Sequence, residues 1–150
     1  MACCPTEHVS SSPEETLALG ESLARRLKTG SVVALFGGLG SGKTCLAKGI
    51  ARGLGITENI SSPTYTIINE YPGGPESQLA LYHIDAYRLS GDEDFENTGA
   101  GETLGSNGIT VIEWSERIPR SIPTDAIAIH IEITGPHSRV FRIRHEPACH

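Results

Sequence analysis

Residues 37–44 have the types and the spacing needed to hold a phosphate. They run Gly-Gly-Leu-Gly-Ser-Gly-Lys-Thr and match the pattern G-x-x-x-x-G-K-[ST] in full. Glycines let backbone N–H groups curl around a phosphate, and the N-terminus of a following helix adds partial positive charge. Lys43 can reach the β and γ oxygens as a mobile cation, and the Thr44 hydroxyl can ligate Mg²⁺. This phosphate loop therefore predicts binding of a nucleoside triphosphate.

A metal held at such a loop needs a carboxylate at the end of a neighbouring strand, and two residues qualify. Glu113 closes the apolar run 109–113, and Asp85 closes the run 79–85. Mg²⁺ prefers octahedral oxygen ligands with several waters retained, so one carboxylate can bind it directly and the other through water. Either could instead orient an attacking water, because phosphoryl transfer depends on positioning and charge neutralisation. The residues alone leave these roles open between Asp85 and Glu113.

The elements that must position these residues alternate between helices and strands. Ser12, Pro13 and Glu15 form a capping pattern ahead of an amphipathic helix. A short apolar run with β-branched residues precedes the phosphate loop, and apolar residues at helical spacing follow it. The predicted helices span 13–29 and 44–52. The predicted strands span 31–36, 65–71, 79–84, 109–113, 126–133 and 139–144, and the acidic stretch 90–107 is predicted as a loop or a short helix.

Strands interleaved with helices predict an α/β fold, and the phosphate loop indicates that it is of the P-loop NTPase type. Turn signals at 72–75 and 135–138 predict two antiparallel hairpins, so we expect a mixed sheet with a parallel core, flanked by helices. The chain is long enough for one domain, which we place at 12–144. Residues 1–11 are predicted as a flexible N-terminal tail and 145–150 as a C-terminal tail.

The composition argues against several classes of function. Twelve Lys and Arg against eighteen Asp and Glu give a net charge of −6, which disfavours a protein that binds DNA or RNA on its own. No run approaches the roughly 20 apolar residues of a membrane span, and the first residues lack the regions of a secretory signal. The four cysteines show no Cys-x-x-Cys spacing. We therefore expect a reduced, cytoplasmic protein without a membrane or DNA partner.

Four blocks of sequence together resemble the TsaE (YjeE) family, the P-loop ATPases of bacterial tRNA threonylcarbamoyladenosine (t6A) biosynthesis. The blocks are the phosphate loop, Ser-Ser-Pro-Thr-Tyr-Thr with Asn-Glu-Tyr in 61–71, His-Ile-Asp-Ala-Tyr-Arg-Leu in 83–89, and Ile-Glu-Trp-Ser-Glu in 112–116. The phosphate loop alone identifies only a superfamily, whereas all four blocks in this order are far more specific. The resemblance covers roughly Ser12 to Arg144.

The resemblance implies a protein that binds Mg-ATP, hydrolyses ATP weakly and acts with the partner pair TsaB and TsaD. It implies contact with tRNA only indirectly, through those partners. Thr44 and Glu113 fall on the family's magnesium positions, and Asp85, Glu113 and Lys43 are the implied catalytic residues. The implied nucleotide-binding residues are Ser12, Gly38, Leu39, Gly40, Ser41, Gly42, Lys43, Thr44 and Arg139.

Two residues depart from the family's pattern. Gly38 stands where members usually have Asp, and Cys45 stands where they usually have a second Thr. With Gly38, this chain lacks the negative charge that the aspartate of other members places near the phosphates. The rate of hydrolysis is therefore expected to depend on this position. Nucleotide binding is expected to persist.

Other functions on the same fold each require further motifs. A small-molecule kinase on the same fold would use Asp85 as its base, but it needs a lid carrying arginines, and 90–107 holds no Lys or Arg. A GTPase would need an Asn/Thr-Lys-x-Asp block, and a transporter ATPase would need a longer signature than Leu-Ser-Gly-Asp at 89–92. The kinase and a non-catalytic nucleotide-sensing scaffold are the alternatives that stay open.

Three residues have both a structural and a functional interpretation. Thr64 suits either a loop that senses the γ-phosphate or a rigid turn at Pro63. His83 is favoured as a half-buried strand residue over a catalytic base. Trp114 is favoured as a packing residue, with an interface or nucleotide-proximal role as the alternative.

Overall fold

The computed structural model describes residues 6–61, 67–73 and 79–145. The strands are β1 (Thr6–Ser10), β2 (Val32–Phe36), β3 (Ile68–Tyr71), β4 (Ala80–Asp85), β5 (Gly108–Glu113), β6 (Ile127–Ile133) and β7 (Arg139–Arg144). The helices are α1 (Pro13–Ala24), α2 (Lys43–Gly53) and α3 (Asp92–Thr98), with short 3₁₀ helices at Ala100–Thr103 and Ser115–Arg117. No helix within these described ranges is long and apolar enough to cross a bilayer.

The strands form one seven-stranded sheet in the order β1-β7-β6-β2-β5-β4-β3. β2 pairs in parallel with β5 and β6, and β5 pairs in parallel with β4. β3 pairs antiparallel with β4 at one edge, and β7 and β1 add antiparallel pairings at the other. The predicted mixed sheet with a parallel core is therefore confirmed. Because β2, β4 and β5 run in the same direction, their carboxyl ends meet at one edge, where ligands bind in such folds.

Helices α1 and α2 pack tightly against each other on one face of the sheet. A Cβ at Gly20 would lie 2.6 Å from the Leu46 carbonyl oxygen, and one at Gly49 would lie 2.4 Å from the Leu17 carbonyl oxygen. Only glycine permits so close an approach of the two backbones. The main core beneath these helices includes Leu23, Val33, Leu35, Leu46, Ile50, Val111 and Ile129. This packing fixes α2, whose first turn carries Lys43 and Thr44.

A second apolar cluster covers part of the opposite face. Phe95 of α3 is buried in it together with Ile84 of β4 and Ile112 of β5. Asp92 ties α3 to the loop before β6, because its carboxylate accepts hydrogen bonds from the Ser121 backbone N–H and hydroxyl, both at 2.8 Å. β4 and β5 are therefore packed on both faces, which makes them a firm support for side chains at their carboxyl ends.

Two segments differ from the sequence-based expectation. The flexible tail predicted for 1–11 is wrong for Thr6–Ser10, which pair with β7 as strand β1 because the edge of β7 offers unpaired backbone groups. The helix predicted for 13–29 ends at Ala24, since the N–H groups of Arg26 and Leu27 bond carbonyls three residues back and tighten the last turn. The stretch 90–107 contains the short helix α3, one of its two predicted forms.

Candidate functional site

The phosphate loop joins the end of β2 to the start of α2, in the strand–loop–helix context that its sequence predicts. Gly40 and Gly42 have φ angles of 77° and 105°, in the left-handed region that other residues rarely adopt. These two glycines turn the backbone sharply before α2 begins at Lys43. The first N–H groups of a helix lack partners within it, so the loop and the start of α2 form a site suited to an anion.

A cavity of about 420 Å³ opens at this loop. Residues 39–45 form one side of it, and the other side comes from residues at or just beyond the ends of β4 and β5. These are Asp85, Tyr87, Glu113 and Trp114. The structure thus brings together most of the predicted site residues, from parts of the chain far apart in sequence. The volume lies within the range of about 300–1,000 Å³ typical of small-molecule sites.

Thr44 and Glu113 meet at this cavity. The Thr44 hydroxyl donates to the two carboxylate oxygens of Glu113, at 3.0 and 3.2 Å. Glu113 is buried, and so is Ser41 of the phosphate loop, whose hydroxyl has no hydrogen-bond partner among the described residues. A hydroxyl and a carboxylate side by side are hard oxygen donors of the kind that Mg²⁺ prefers. The residues present therefore fit a magnesium ion bound with a nucleotide.

Asp85 lies beside Glu113, because β4 and β5 pair in parallel with these two residues in register. Its carboxylate accepts a hydrogen bond of 2.9 Å from the backbone N–H of Tyr87. Burial raises the pKa of Asp85 above its usual value, and the nearby Glu113 carboxylate adds to that rise, while the Tyr87 N–H opposes it. A carboxylate in this setting is more basic than a solvated aspartate and faces the cavity that the phosphate loop lines.

Lys43 is held inside the site rather than extended into solvent. Its ammonium donates to the carbonyl oxygens of Gly37 and Gly38 and stands 3.8 Å from the centroid of the Trp114 ring. Burial lowers the pKa of Lys43, while the carboxylates of Glu116, Glu113 and Asp85 act in the opposite direction. The lysine is therefore a partly desolvated cation whose present partners are neutral carbonyls and an aromatic face, which a phosphate could replace.

Trp114 takes an unusual backbone conformation to reach Lys43. Its φ of 59° is in the left-handed region, which is rare for a bulky residue. The indole also packs against the ring of Tyr87, with 4.8 Å between ring centroids. Trp114 lines the cavity and also packs against the second apolar cluster, so its place agrees with both interpretations.

The two outlying predicted residues, Ser12 and Arg139, line a smaller hollow of about 150 Å³ next to the main cavity, together with Gly42 and Cys45. Arg139 donates to the carbonyl oxygen of Gly40 at 3.1 Å, and so ties β7 to the phosphate loop. The Ser12 hydroxyl accepts a bond of 3.1 Å from the Glu15 N–H and caps α1. Arg139 therefore contacts the phosphate loop directly. Ser12 caps α1 and lines the smaller hollow beside the loop.

Comparison with known proteins decides the family. A family model described as "Threonylcarbamoyl adenosine biosynthesis protein TsaE" matches residues 10–141, which is most of the chain. The chain belongs to the TsaE family. A TsaE protein of Treponema pallidum is 44% identical over 131 residues, covering 87% of this chain and 94% of its own. A TsaE protein of Bacillus subtilis is 41% identical over 127 residues, covering 85% of this chain and 77% of its own.

A solved structure agrees with the family assignment. The crystal structure of Bacillus subtilis YdiB superposes with a TM-score of 0.79 at 34% sequence identity, and the match covers 95% of this chain and 86% of that one. The TsaE relatives carry the name of tRNA threonylcarbamoyladenosine biosynthesis. A role of this chain in t6A biosynthesis therefore follows from its family.

Two residues of this TsaE protein take part in the site without having been predicted to do so. His83, favoured as a half-buried strand residue, is fully buried, and its Nε2 lies 2.5 Å from Glu113 Oε2. Glu116 accepts a hydrogen bond of 3.3 Å from the Gly37 N–H at the start of the phosphate loop. Strand alternation could have found His83, since it lies two residues before Asp85 on the same face of β4.

The Thr64 interpretations concern 62–66, which lie outside the described residues.

Proposed function

We propose that this chain binds Mg-ATP and hydrolyses it slowly, as the ATPase that acts with TsaB and TsaD in t6A biosynthesis. The observation that carries the proposal is the contact between the Thr44 hydroxyl and the Glu113 carboxylate beside the phosphate loop. A lysine, a hydroxyl and a buried carboxylate around one loop are the groups that phosphoryl transfer requires. A glycine-rich turn that binds no ligand would not need a lysine, a hydroxyl and a buried carboxylate around it.

In this proposal the backbone N–H groups of the phosphate loop and Lys43 hold the phosphates. Lys43 would exchange the Gly37 and Gly38 carbonyls for phosphate oxygens, which are stronger partners for an ammonium. Bound Mg²⁺, held by Thr44 and Glu113, would supply charge neutralisation on the phosphate oxygens. Asp85 would orient the attacking water and accept its proton, a task helped by its raised pKa.

Hydrolysis by the isolated chain is expected to be slow because the lining of the main cavity contains one lysine and no arginine among the described residues. An arginine that reaches the transferring phosphate is worth about 10³–10⁵ in rate. The guanidinium of Arg139 is occupied with the carbonyls of Gly40, Gly135 and Ser138. Stimulation of hydrolysis in complex with TsaB and TsaD is therefore part of the proposal.

The surface around the cavity supports action through protein partners. Leu39 at the tip of the phosphate loop is 86% exposed, and Tyr87 beside the cavity is 50% exposed. Large apolar side chains at the mouth of a site are common where another protein docks. The net charge of −6 disfavours direct contact with RNA, so we place tRNA on the partners.

The experiment that tests this function combines three measurements on the full chain. Calorimetric titration with ATP and Mg²⁺ should show binding. Phosphate release should be slow for the chain alone and faster with TsaB and TsaD. Formation of t6A on tRNA by the TsaB and TsaD pair should then depend on this chain and on ATP.

Two outcomes of that experiment would favour the alternatives. ATP binding without any phosphate release, with or without partners, would favour a nucleotide-sensing scaffold. Formation of t6A that does not depend on this chain, together with rapid phosphorylation of a metabolite in a separate assay, would favour a small-molecule kinase.

A further inference from the structure

The His83 side chain makes one polar contact in the described part of the chain, and that contact is with Glu113. The side chain is fully buried in β4, and its Nε2 lies 2.5 Å from Glu113 Oε2. The strands β4 and β5 pair with His83 opposite Val111, so Glu113 is its diagonal neighbour on the same face. The imidazole and the Thr44 hydroxyl therefore hold the same carboxylate from two sides.

The surroundings of His83 indicate which ring nitrogen donates to Glu113. A carboxylate only accepts hydrogen bonds, so Nε2 must donate to Glu113. Nδ1 is buried and has no partner among the described residues. A hydrogen on Nδ1 would be a buried donor left unsatisfied, which costs more than an idle lone pair on a weak acceptor. Nε2 is therefore the donor to Glu113, and no contact of Nδ1 among the described residues competes with it.

We propose that His83 is a positioning residue that fixes the Glu113 carboxylate for the metal. The inference rests on the proposed function, since it assigns His83 a role in a Mg-nucleotide site. A glutamate has three rotatable bonds, and a donor from the strand alongside restricts where its oxygens lie. Hydrogen bonds from outside the ligand shell orient metal-binding carboxylates, and their loss typically costs 10–100-fold in metal affinity or activity.

A matched pair of variants separates this role from simple packing. His83→Gln places an amide donor near the position of Nε2, and His83→Met has the same chain length without a donor. Binding of Mn²⁺ in the presence of ADP, followed by electron paramagnetic resonance, reports the metal site without requiring turnover. We expect His83→Met to weaken Mn²⁺ binding by about 10–100-fold. We expect His83→Gln to keep affinity of the same order as the wild type.

Equal Mn²⁺ affinity in the wild type and a folded His83→Met variant would overturn the role of His83 and leave the proposed function intact. Absence of Mn²⁺ binding by the wild type with ADP would overturn the proposed function, and the metal role of His83 with it.

A second measurement needs neither metal nor a stable variant. Nitrogen-15 NMR of the histidine rings in the wild-type chain should show one ring whose Nε2 carries a strongly bonded hydrogen. A His83 ring protonated on Nδ1 alone would overturn the assignment, because such a ring cannot donate to Glu113.

Discussion

The Thr44 hydroxyl donates to both carboxylate oxygens of Glu113, across 69 positions of sequence. This contact joins the first turn of α2 to the last residue of β5, and it forms at the edge where the parallel strands end. Neither residue is remarkable in its own element, since a threonine in a first helical turn and a glutamate at a strand end are both common. Their contact beside the phosphate loop is what makes them candidate metal ligands.

Removing either member of this pair should impair magnesium-dependent turnover more than nucleotide binding. We expect Thr44→Val and Glu113→Gln each to reduce Mg²⁺-dependent phosphate release by about tenfold or more, since each loses a charge-assisted contact. The double variant should lose less than the sum of the two effects in free energy, because the residues act together. Phosphate release measured over a range of Mg²⁺ concentrations checks this.

Thr110→Val is the matched control, because Thr110 lies in the same strand as Glu113 but its hydroxyl donates to the Thr103 carbonyl, away from the cavity. Its magnesium dependence should be that of the wild type. Strictly additive effects of Thr44→Val and Glu113→Gln would contradict their assignment to one metal.

Arg139 should support the phosphate loop rather than act in the chemical step. Its guanidinium bonds the carbonyls of Gly40, Gly135 and Ser138. Arg139→Ala should raise the dissociation constant for ATP by about tenfold, since hydrogen bonds from a charged donor contribute about 1.5–3 kcal/mol. Arg142→Ala, on the same strand but paired with Glu7 and Glu132, is the control. Equal effects of the two substitutions in a titration would argue against the role of Arg139.

The ionised Asp85 side chain should lower the free energy of unfolding at neutral pH, because it is partly buried in the site. Burial raises its folded-state pKa above the unfolded value of 3.8, so the folded state binds more protons between these two values. Stability attributable to Asp85 therefore falls as pH rises through that window. Asp85→Asn mimics the protonated form and should unfold at a higher temperature than the wild type at neutral pH. The difference should shrink as pH falls toward 3.8.

Thermal unfolding of both chains across this pH range checks the sign. A wild-type chain that is more stable than Asp85→Asn at neutral pH would contradict the account of Asp85. The same variant should lose phosphate release, because an amide cannot accept the proton of the attacking water.

A nucleotide bound at the phosphate loop should protect the Cys45 thiol from alkylation. Its thiol lines both cavities and donates to the Pro13 carbonyl at 3.5 Å, and burial raises its pKa. The thiolate is the reactive form, so alkylation should be slow at neutral pH and faster as pH rises. Saturating Mg-ATP should slow it further. Peptide mass spectrometry after timed alkylation gives the rate at Cys45, and an unchanged rate with Mg-ATP would place the nucleotide elsewhere.

The sequence was sufficient to predict the features that depend on local spacing. The phosphate loop, the strand before it and the helix after it follow from Gly40, Gly42 and the apolar periodicity around them. The parallel core followed from the alternation of strands and helices, and the antiparallel β6–β7 hairpin from the turn signal at 135–138. The motif, the apolar periodicities and the turn signals are each contained within short stretches of sequence.

Features that depend on pairing between distant segments could not be predicted in the same way. Strand β1 forms because the edge of β7 accepts it, and nothing within Thr6–Ser10 specifies that partner. The contact of His83 with Glu113 depends on the register of β4 against β5, which a single sequence does not contain. Trp114 reaches Lys43 through a left-handed backbone that its residue type disfavours. Tertiary packing decides all three.

The binding of ATP at the phosphate loop is tested most directly by calorimetric titration of Lys43→Ala beside Lys48→Ala. Lys48 lies on the same helix and is exposed, so its loss controls for the removal of one positive charge. We predict binding of ATP with Mg²⁺ by the wild type and by Lys48→Ala, and binding at least about tenfold weaker or undetectable for Lys43→Ala. Equal affinity of Lys43→Ala and the wild type would contradict a nucleotide site at this loop.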